Sequence, residues 1–480
     1  MPLKPSPISL FLCFFLALLG VLLSMDHVFF WDTIQLGSKH AHFYYENHFK
    51  VLLLPEKIDS GHPPLFGLYL AICWAVFGKN LLVSHLSMLP FLWLIIYQWY
   101  RLGRYLGGVQ LLPFFMLLLV ADPVMAGQAV LVSPDLVLVA SWLLALNGIL
   151  LQQKEWKTFG IIGLGLISMR GMMLGLILFL WEWGVFRKKE KETSFISHFF
   201  KTIYAYLPGG MLALVFLVYH YTETGWIGYH ENSEWAPSFA KASVAQIVKN
   251  GLILAWRLVD FGRIFVWLGL LALVWKLLAQ KTLIDFLVHD KKVRQIGLLF
   301  IFTLLGLSIT FIRYAGLQQH RYLLPVCLSL SIFLYFVVVH SPSHLWKMKS
   351  RQLLLLLVSF GLFSGNFWIY PDKISQGWDA SLAHWPYYDL RAQMLEHIEA
   401  QAIPLDAIGT AFPEIGPLKY KDLSEETGGF KEKDFSSDQF LLYSNIMNDF
   451  TDEELEELQT QWEPIYKVRK AGVFMVLYKR

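Results

Sequence analysis

Residues 26–79, DHVFFWDTIQLGSKHAHFYYENHFKVLLLPEKIDSGHPPLFGLYLAICWAVFGK, follow the first apolar run and decide how the rest of the chain is threaded. Their last apolar part, LFGLYLAICWAVF at 65–77, is 13 residues long before Gly78-Lys79-Asn80. That is short for a crossing, which takes roughly 20 apolar residues. Counting it as a span would put Arg101 and Arg104 outside and reverse every later loop. Treating it as an interfacial or re-entrant helix leaves all the basic clusters on one side. The charge pattern therefore makes 26–81 an outer loop folded against the membrane, and the candidate active-site region.

Working outward, the 480 residues are 55% hydrophobic and 16% charged, whereas soluble globular chains carry about a quarter of charged residues. The expectation is a polytopic α-helical membrane protein with about eleven transmembrane helices, at 8–25, 82–101, 109–127, 135–152, 157–169, 171–186, 199–221, 261–280, 295–313, 321–340 and 352–370. Lys4, Arg101, Arg104, Lys154, Lys157, Arg187, Lys188, Lys189, Lys191, Lys281, Lys291, Lys292, Arg294, Lys347, Lys349 and Arg351 then fall on the cytoplasmic side. The N-terminus is inside, the first helix stays uncleaved, and residues 371–480 lie outside with the 26–81, 222–250 and 314–320 loops. A net charge of +3, spread in short clusters, gives no nucleic-acid partner. Cys13, Cys73 and Cys327 sit in apolar runs with no ligand spacing and read as core residues.

From Tyr370 the composition becomes that of a soluble unit. PYYDLRAQMLEHIEAQ (386–401) predicts an amphipathic helix, AIGTAF (407–412) and QFLLYSNIM (439–447) predict strands, and Thr451-Asp452-Glu453-Glu454 predicts a capping box. PIYKVRKAGVFMVLYKR (464–480) predicts a hairpin turning near Ala471-Gly472. The result is a small C-terminal α/β or α+β extracytoplasmic domain.

Asp32, among Phe29, Phe30 and Trp31 at the membrane boundary, is a candidate general base, or an ordinary interfacial acid. Asp26 ends the first span and ranks second. Asp59, His40 and His42 are the candidate metal ligands; the sequence leaves open whether a divalent metal takes part. His62 before Pro63-Pro64 stands where a helix start exposes N–H groups to a phosphate, and the same residues equally just start a helix. Asp135 opens a span after Ser133-Pro134, Arg170 stands between two short spans, and Arg321-Tyr322 offers a guanidinium fork and a phenol. Arg313 is the nearest rival to Arg321, and an arginine on the outer face, against the positive-inside bias, favours a ligand. Glu223, His230, Glu231, Glu234, Trp226 and Trp235 form a loop that suits a sugar or plain solvent equally.

Together these positions resemble the GT-C membrane glycosyltransferases, especially the protein O-mannosyltransferase and aminoarabinose transferase group that uses polyprenyl-phosphate sugars. The resemblance spans about residues 8–190, with a weaker anchor at HRYLLP (320–325). It is carried by Asp32 after the first span, HPPLFGLYLAICWAVFGKN (62–80), Pro134-Asp135, and GLISMRG (165–171) with Arg170. The resemblance implies that Asp32 activates the acceptor, that His62, Arg170, Arg321 and Tyr322 lie near the lipid-linked phosphate, and that Asp135 borders the site. The family's first loop often has an acidic pair; here Thr33 follows Asp32. The C-terminal domain matches no catalytic module.

The expected function is transfer of a hexosyl or pentosyl group from a polyprenyl-phosphate donor to a lipid, glycan or protein acceptor at the outer face of the inner membrane, by inverting single displacement. A flippase of lipid-linked saccharides would instead show mid-membrane polar groups, broken helices and repeated halves. A noncatalytic envelope assembly protein would use only its outer domain.

Overall fold

A computed structural model describes residues 7–186, 195–232, 236–284, 286, 290–342, 344, 346–371, 374–425 and 428–480. Lys4, Arg187, Lys188, Lys189, Lys191, Glu234 and Trp235 lie outside the described residues. Among the described residues, seventeen α-helices precede residue 365: α1 Ile8–Leu23, α2 His40–Glu46, α3 Leu65–Phe77, α4 Leu81–Leu86, α5 Leu89–Leu106, α6 Leu112–Ala121, α7 Pro123–Ala129, α8 Pro134–Leu150, α9 Lys154–Ile167, α10 Met169–Val185, α11 Phe195–Ile203, α12 Leu207–Thr224, α13 Val244–Val259, α14 Ile264–Ala279, α15 Lys291–Arg313, α16 Leu324–His340 and α17 Met348–Ser364. Each of the eleven expected spans falls on one or two of them. Among the described residues, three helical stretches suffice by length and apolarity to cross a membrane, at 81–106, 291–313 and 320–340, and three bent pairs would bring that to six.

The 65–77 run is a separate helix, as its length predicts. Gly78 at φ 97° ends it, and Asn80 Oδ1 accepts from Val83 N at 2.8 Å to start α4. The sequence reading missed α13. It assigned 222–250 to a loop, but VAQIVKNGLILAWRLV is a helix bent by 78° from α14. Lys249, Asn250 and Arg257 interrupt its apolar run, so hydropathy alone did not register it.

Small residues and buried polar pairs set the helix packing. A Cβ at Gly148 would stand 2.3 Å from Lys157 N, and one at Gly160 2.4 Å from Ala145 N, so α8 and α9 meet backbone to backbone. Asn147 Nδ2 donates to Gln98 O and Oε1, both at 2.7 Å, joining α8 to α5. Asp122 breaks α6 from α7 by a 66° bend: its Oδ1 accepts from Val124 N and Met125 N at 3.0 Å, and buried Arg263 approaches it at 3.1 Å.

The C-terminal unit holds α18 Pro386–Ala400, α19 Lys419–Asp422 and α20 Asp452–Gln461 with six strands: β1 Ile408–Thr410, β2 Gly416–Pro417, β3 Gly429–Glu432, β4 Phe440–Ser444, β5 Glu463–Lys470 and β6 Val473–Lys479. The strand order is β2-β3-β1-β4-β6-β5, with β1 parallel to β3 and β4 and the remaining pairs antiparallel. The predicted capping box is present at Thr451 and Glu454. The hairpin turns at Ala471 and Gly472, both at positive φ, which matches the twist of the flanking strands. The core of this unit includes Phe30, Trp31 and Leu131 from the helical part, so its base is built into the helices.

Gly160→Ala should lower the melting temperature of the detergent-solubilised protein, at a cost of about 1–3 kcal/mol, because backbone must move to admit the methyl group. Gly210→Ala, with nothing within 4 Å of its Cβ, should leave it unchanged. Scanning fluorimetry of both variants checks this; equal melting temperatures would refute the close α8–α9 contact.

Candidate active site

The site is made where helices begin and end. Asp32 follows α1, Asp135 is the second residue of α8, Arg170 the second of α10, and Arg321-Tyr322 lie in the turn before α16. Each start is fixed locally: Ser133 Oγ accepts from Asp135 N at 3.2 Å and Ser168 Oγ from Gly171 N at 3.1 Å, placing both ionisable side chains in the first turn of a helix. Trp31, held in the left-handed region at φ 52°, reverses the chain just before Asp32. For a large side chain this conformation costs of order 1–3 kcal/mol and persists only where the surroundings impose it. Here the indole is buried against Phe30 and Phe412.

Arg321, only 4% exposed, gathers three carboxylates. Its Nη2 donates to Asp32 Oδ2, its Nη1 donates to Asp135 Oδ2 at 3.2 Å, and its Nε lies 3.0 Å from Asp379 Oδ2. Arg170 Nη2 donates to Asp135 Oδ1, and its Nη1 donates to Arg321 O at 3.3 Å. The Tyr322 ring is flanked by both guanidinium carbons, at 4.6 and 4.9 Å. Asp32 and Arg170, with side chains 23% and 20% exposed, are the open members.

Two adjoining spaces meet at these residues. One, of about 140 Å³, is lined mainly by apolar side chains of α8, α10 and α15 together with His40, His62, Asp135, Arg170, Arg321 and Tyr322. The other, of about 120 Å³, is more polar and includes Asp32, Ser60, His62, Ser238, Gln319 and Tyr322. His62, Phe239 and Tyr322 border both.

Every residue expected at the phosphate or acting as base is thus brought together: Asp32, His62, Asp135, Arg170, Arg321 and Tyr322. Burial, then the charge of Arg170 and of His40, push the His62 pKa down to about 4, so at neutral pH it is an uncharged hydrogen-bonding group rather than a cation. Asp26 stays at the exposed end of α1. Thr33 closes its own turn, its Oγ1 accepting from Phe30 N at 2.9 Å and donating to Phe30 O at 2.7 Å.

The metal-ligand candidates do not converge. Buried Asp59 pairs with His220 Nε2 at 2.9 Å and accepts from Gly61 N at 2.7 Å, so it supports the turn before His62 without touching that imidazole. His40 Nε2 is spent on Ile58 O at 2.9 Å and His42 Nδ1 on Ser38 O at 2.9 Å. Among the described residues no three His, Cys, Asp or Glu side chains form a metal-binding group. The 222–232 loop packs on the first loop rather than standing open as a sugar platform: His230 Nδ1 lies 3.2 Å from Glu56 Oε1, and Trp226 is wedged against His220 and His230.

Asp379 and the groups behind Arg321 escaped sequence reading. Gln128 Nε2 donates to Asp379 O at 2.7 Å, and a Cβ on Gly127 would stand 2.8 Å from Ser381 N, so α7 clamps the 379–381 backbone directly. His320 Nε2 lies 2.8 Å from Asp260 Oδ2, which also accepts from Tyr370 OH; Arg257 Nη1 donates to that phenol at 2.8 Å. Only the Trp-Asp within a turn signal at 378–379 could have drawn attention, and nothing in it points to Arg321. Burial raises the Asp379 pKa above the ordinary aspartate value, opposed by the Arg321 and Arg170 charges.

No family model matches the chain, and no curated protein does. Solved structures of ArnT from Cupriavidus metallidurans do match in fold. The form bound to undecaprenyl phosphate has a TM-score of 0.51 at 13% identity over 98% of each chain. The apo form has a TM-score of 0.54 at 13% identity over 97% of each chain. The likeness covers both the helical part and the C-terminal unit, so the chain shares the fold of these ArnT structures.

A native carboxyl with a raised pKa holds its proton longer than it does in the unfolded chain, so it weakens the fold as pH rises beyond about 4. Asp379→Asn, which cannot ionise, should gain stability relative to the parent between pH 4 and pH 7, whatever constant offset the lost charge introduces. Melting temperatures across that range test this, and a pH-independent difference would refute it.

Proposed function

We propose that the chain is an integral membrane glycosyltransferase that moves a sugar from a polyprenyl-phosphate donor to an acceptor, by a single displacement at the extracytoplasmic face. The observation that carries this reading is the junction of the two spaces: a mainly apolar slot and a more polar chamber meet at one cluster holding a partly exposed carboxylate and two guanidiniums. An apolar slot suits a polyprenyl tail, and a carboxylate in the polar chamber suits an acceptor proton. The fold shared with ArnT, whose crystal structure holds undecaprenyl phosphate, supports the donor class.

In this mechanism Asp32 takes the proton of an acceptor hydroxyl or amine as the heteroatom bonds to the anomeric carbon. The bond from that carbon to the phosphate oxygen breaks, and its electron pair leaves with polyprenyl phosphate. Arg170, the more exposed guanidinium, turns from Asp135 to the leaving phosphate, while Arg321 stays fixed and orients Asp32. Neutral His62 and the Tyr322 phenol add hydrogen bonds between the two spaces. Attack opposite the leaving group inverts the anomeric centre. Positive-inside charge placement supports a cytoplasmic N-terminus and puts the 26–81 loop, the site and the 371–480 unit outside. The first 370 residues and the remainder form two units by composition, with 376–384 as the segment that returns to the site.

The three bent helix pairs are compatible with a flippase, which needs broken helices. Against it, the site's charges gather at one end of the helices.

Asp32→Asn should reduce transfer by at least ~10²-fold in protein that still folds, whereas His62→Gln, replacing one uncharged donor by another, should cost about tenfold or less. Membranes supplied with radiolabelled polyprenyl-phosphate sugar report the rates. Mass spectrometry of envelope glycans, lipids and proteins from a deletion strain identifies the product. Full transfer by a folded Asp32→Asn protein, or an accumulated unflipped lipid in the deletion strain, would remove this mechanism.

A further inference from the structure

On the side of α15 away from the active site, a groove of about 540 Å³ runs between that helix and α13, with Lys241 and Arg313 at one end. Leu305, Ser308, Ile309 and Ile312 face it, at the spacing of a single helical face, whereas Leu307, Thr310 and Phe311 line the active-site slot. Leu305 and Ile309 are 63% and 62% exposed. The groove is preformed: buried Asn250 donates from Nδ2 to Ile312 O at 3.0 Å and to Tyr314 O at 2.9 Å, tying α13 to the end of α15.

The two cations are held together by backbone. Lys241 and Tyr314 form an antiparallel bridge, in which Ala242 N donates to Arg313 O and Ala315 N donates to Ala240 O, each at 2.9 Å. Neither side chain makes an ion pair among the described residues. On the outer side of a membrane, two unpaired cations run against the usual charge bias, and their position above an apolar channel matches the layout of a phospholipid.

We propose that this groove binds an anionic glycerophospholipid, with its phosphate between Lys241 and Arg313 and an acyl chain along Ile247, Leu305, Ile309 and Ile312. The inference rests on the membrane-embedded reading above but not on the transfer chemistry. Because Leu305, Ser308, Ile309 and Ile312 lie on a different face of α15 from Leu307, Thr310 and Phe311, which line the active-site slot, the lipid here is a bound companion of the protein and not the donor. Its headgroup would hold the bridge at 241 and 314, two residues beyond Phe239, which borders both active-site spaces.

Native mass spectrometry of the full chain, released from detergent with added lipid, tests this. Phosphatidylglycerol should be retained about thirtyfold better than phosphatidylcholine, the size expected for two basic side chains at roughly 1 kcal/mol each. Lys241→Gln with Arg313→Gln should abolish the preference, and Lys241→Arg with Arg313→Lys should keep it. Ile309→Trp, which fills the groove and leaves both charges, should also weaken retention, and this exposed position keeps the test valid should the double variant not fold. Asp32→Asn should bind as the parent does, which separates this site from the transfer reaction. Equal retention of both lipids, equal binding in the double glutamine variant, displacement by millimolar inorganic phosphate alone, or stronger retention of undecaprenyl phosphate at these two cations would each overturn the assignment.

Discussion

One buried guanidinium organises the site. Arg321 is desolvated, and a charge in that position is tolerable only when it is paired and hydrogen-bonded. Its partners come from three separate places: Asp32 after the first helix, Asp135 at the start of α8, and Asp379 in the segment leading to the C-terminal unit. Removing the cation would leave three carboxylates facing each other. The same interaction that fixes the candidate base therefore also fastens the C-terminal unit to the helices. Behind it, His320, Asp260, Tyr370 and Arg257 hold the turn that carries Arg321.

This arrangement has a charge consequence. Two guanidiniums face three carboxylates, and His62 is uncharged at neutral pH. A phosphate entering such a cluster meets no spare positive charge unless a carboxylate is protonated or gives up its partner. Asp379, with its raised pKa, suits the first course; the Arg170–Asp135 pair, partly open on the guanidinium side, suits the second. In the transfer step proposed above, phosphate binding and loosening of an internal ion pair would be one event.

The helical frame was largely legible because its signals are local. The short run at 65–77 is a separate helix, Thr451 and Glu454 form their box, and Ala471-Gly472 turn the hairpin. The failures are as instructive. Helix α13 was hidden because Lys249, Asn250 and Arg257 dilute its hydropathy, although Asn250 and Arg257 turn inward to bind carbonyls and a phenol. Asp59, a candidate metal ligand, instead pairs with His220, 161 residues away. The aromatic loop after α12, left equally to a sugar or to solvent on paper, meets the first loop through His230 and Glu56.

What the sequence alone determined was the order of apolar helices and the set of polar residues near helix ends, because hydropathy, caps and turns depend on neighbours along the chain. Six of those residues, Asp32, His62, Asp135, Arg170, Arg321 and Tyr322, do meet. Tertiary structure alone decided who pairs with whom. Arg321 reaches Asp32 across 289 residues and Asp135 across 186, and no local signal encodes a partner at such separations. It also decided that Asp379 joins them, since that depends on α7 bending at Asp122 and on Gly127 allowing the two backbones to touch.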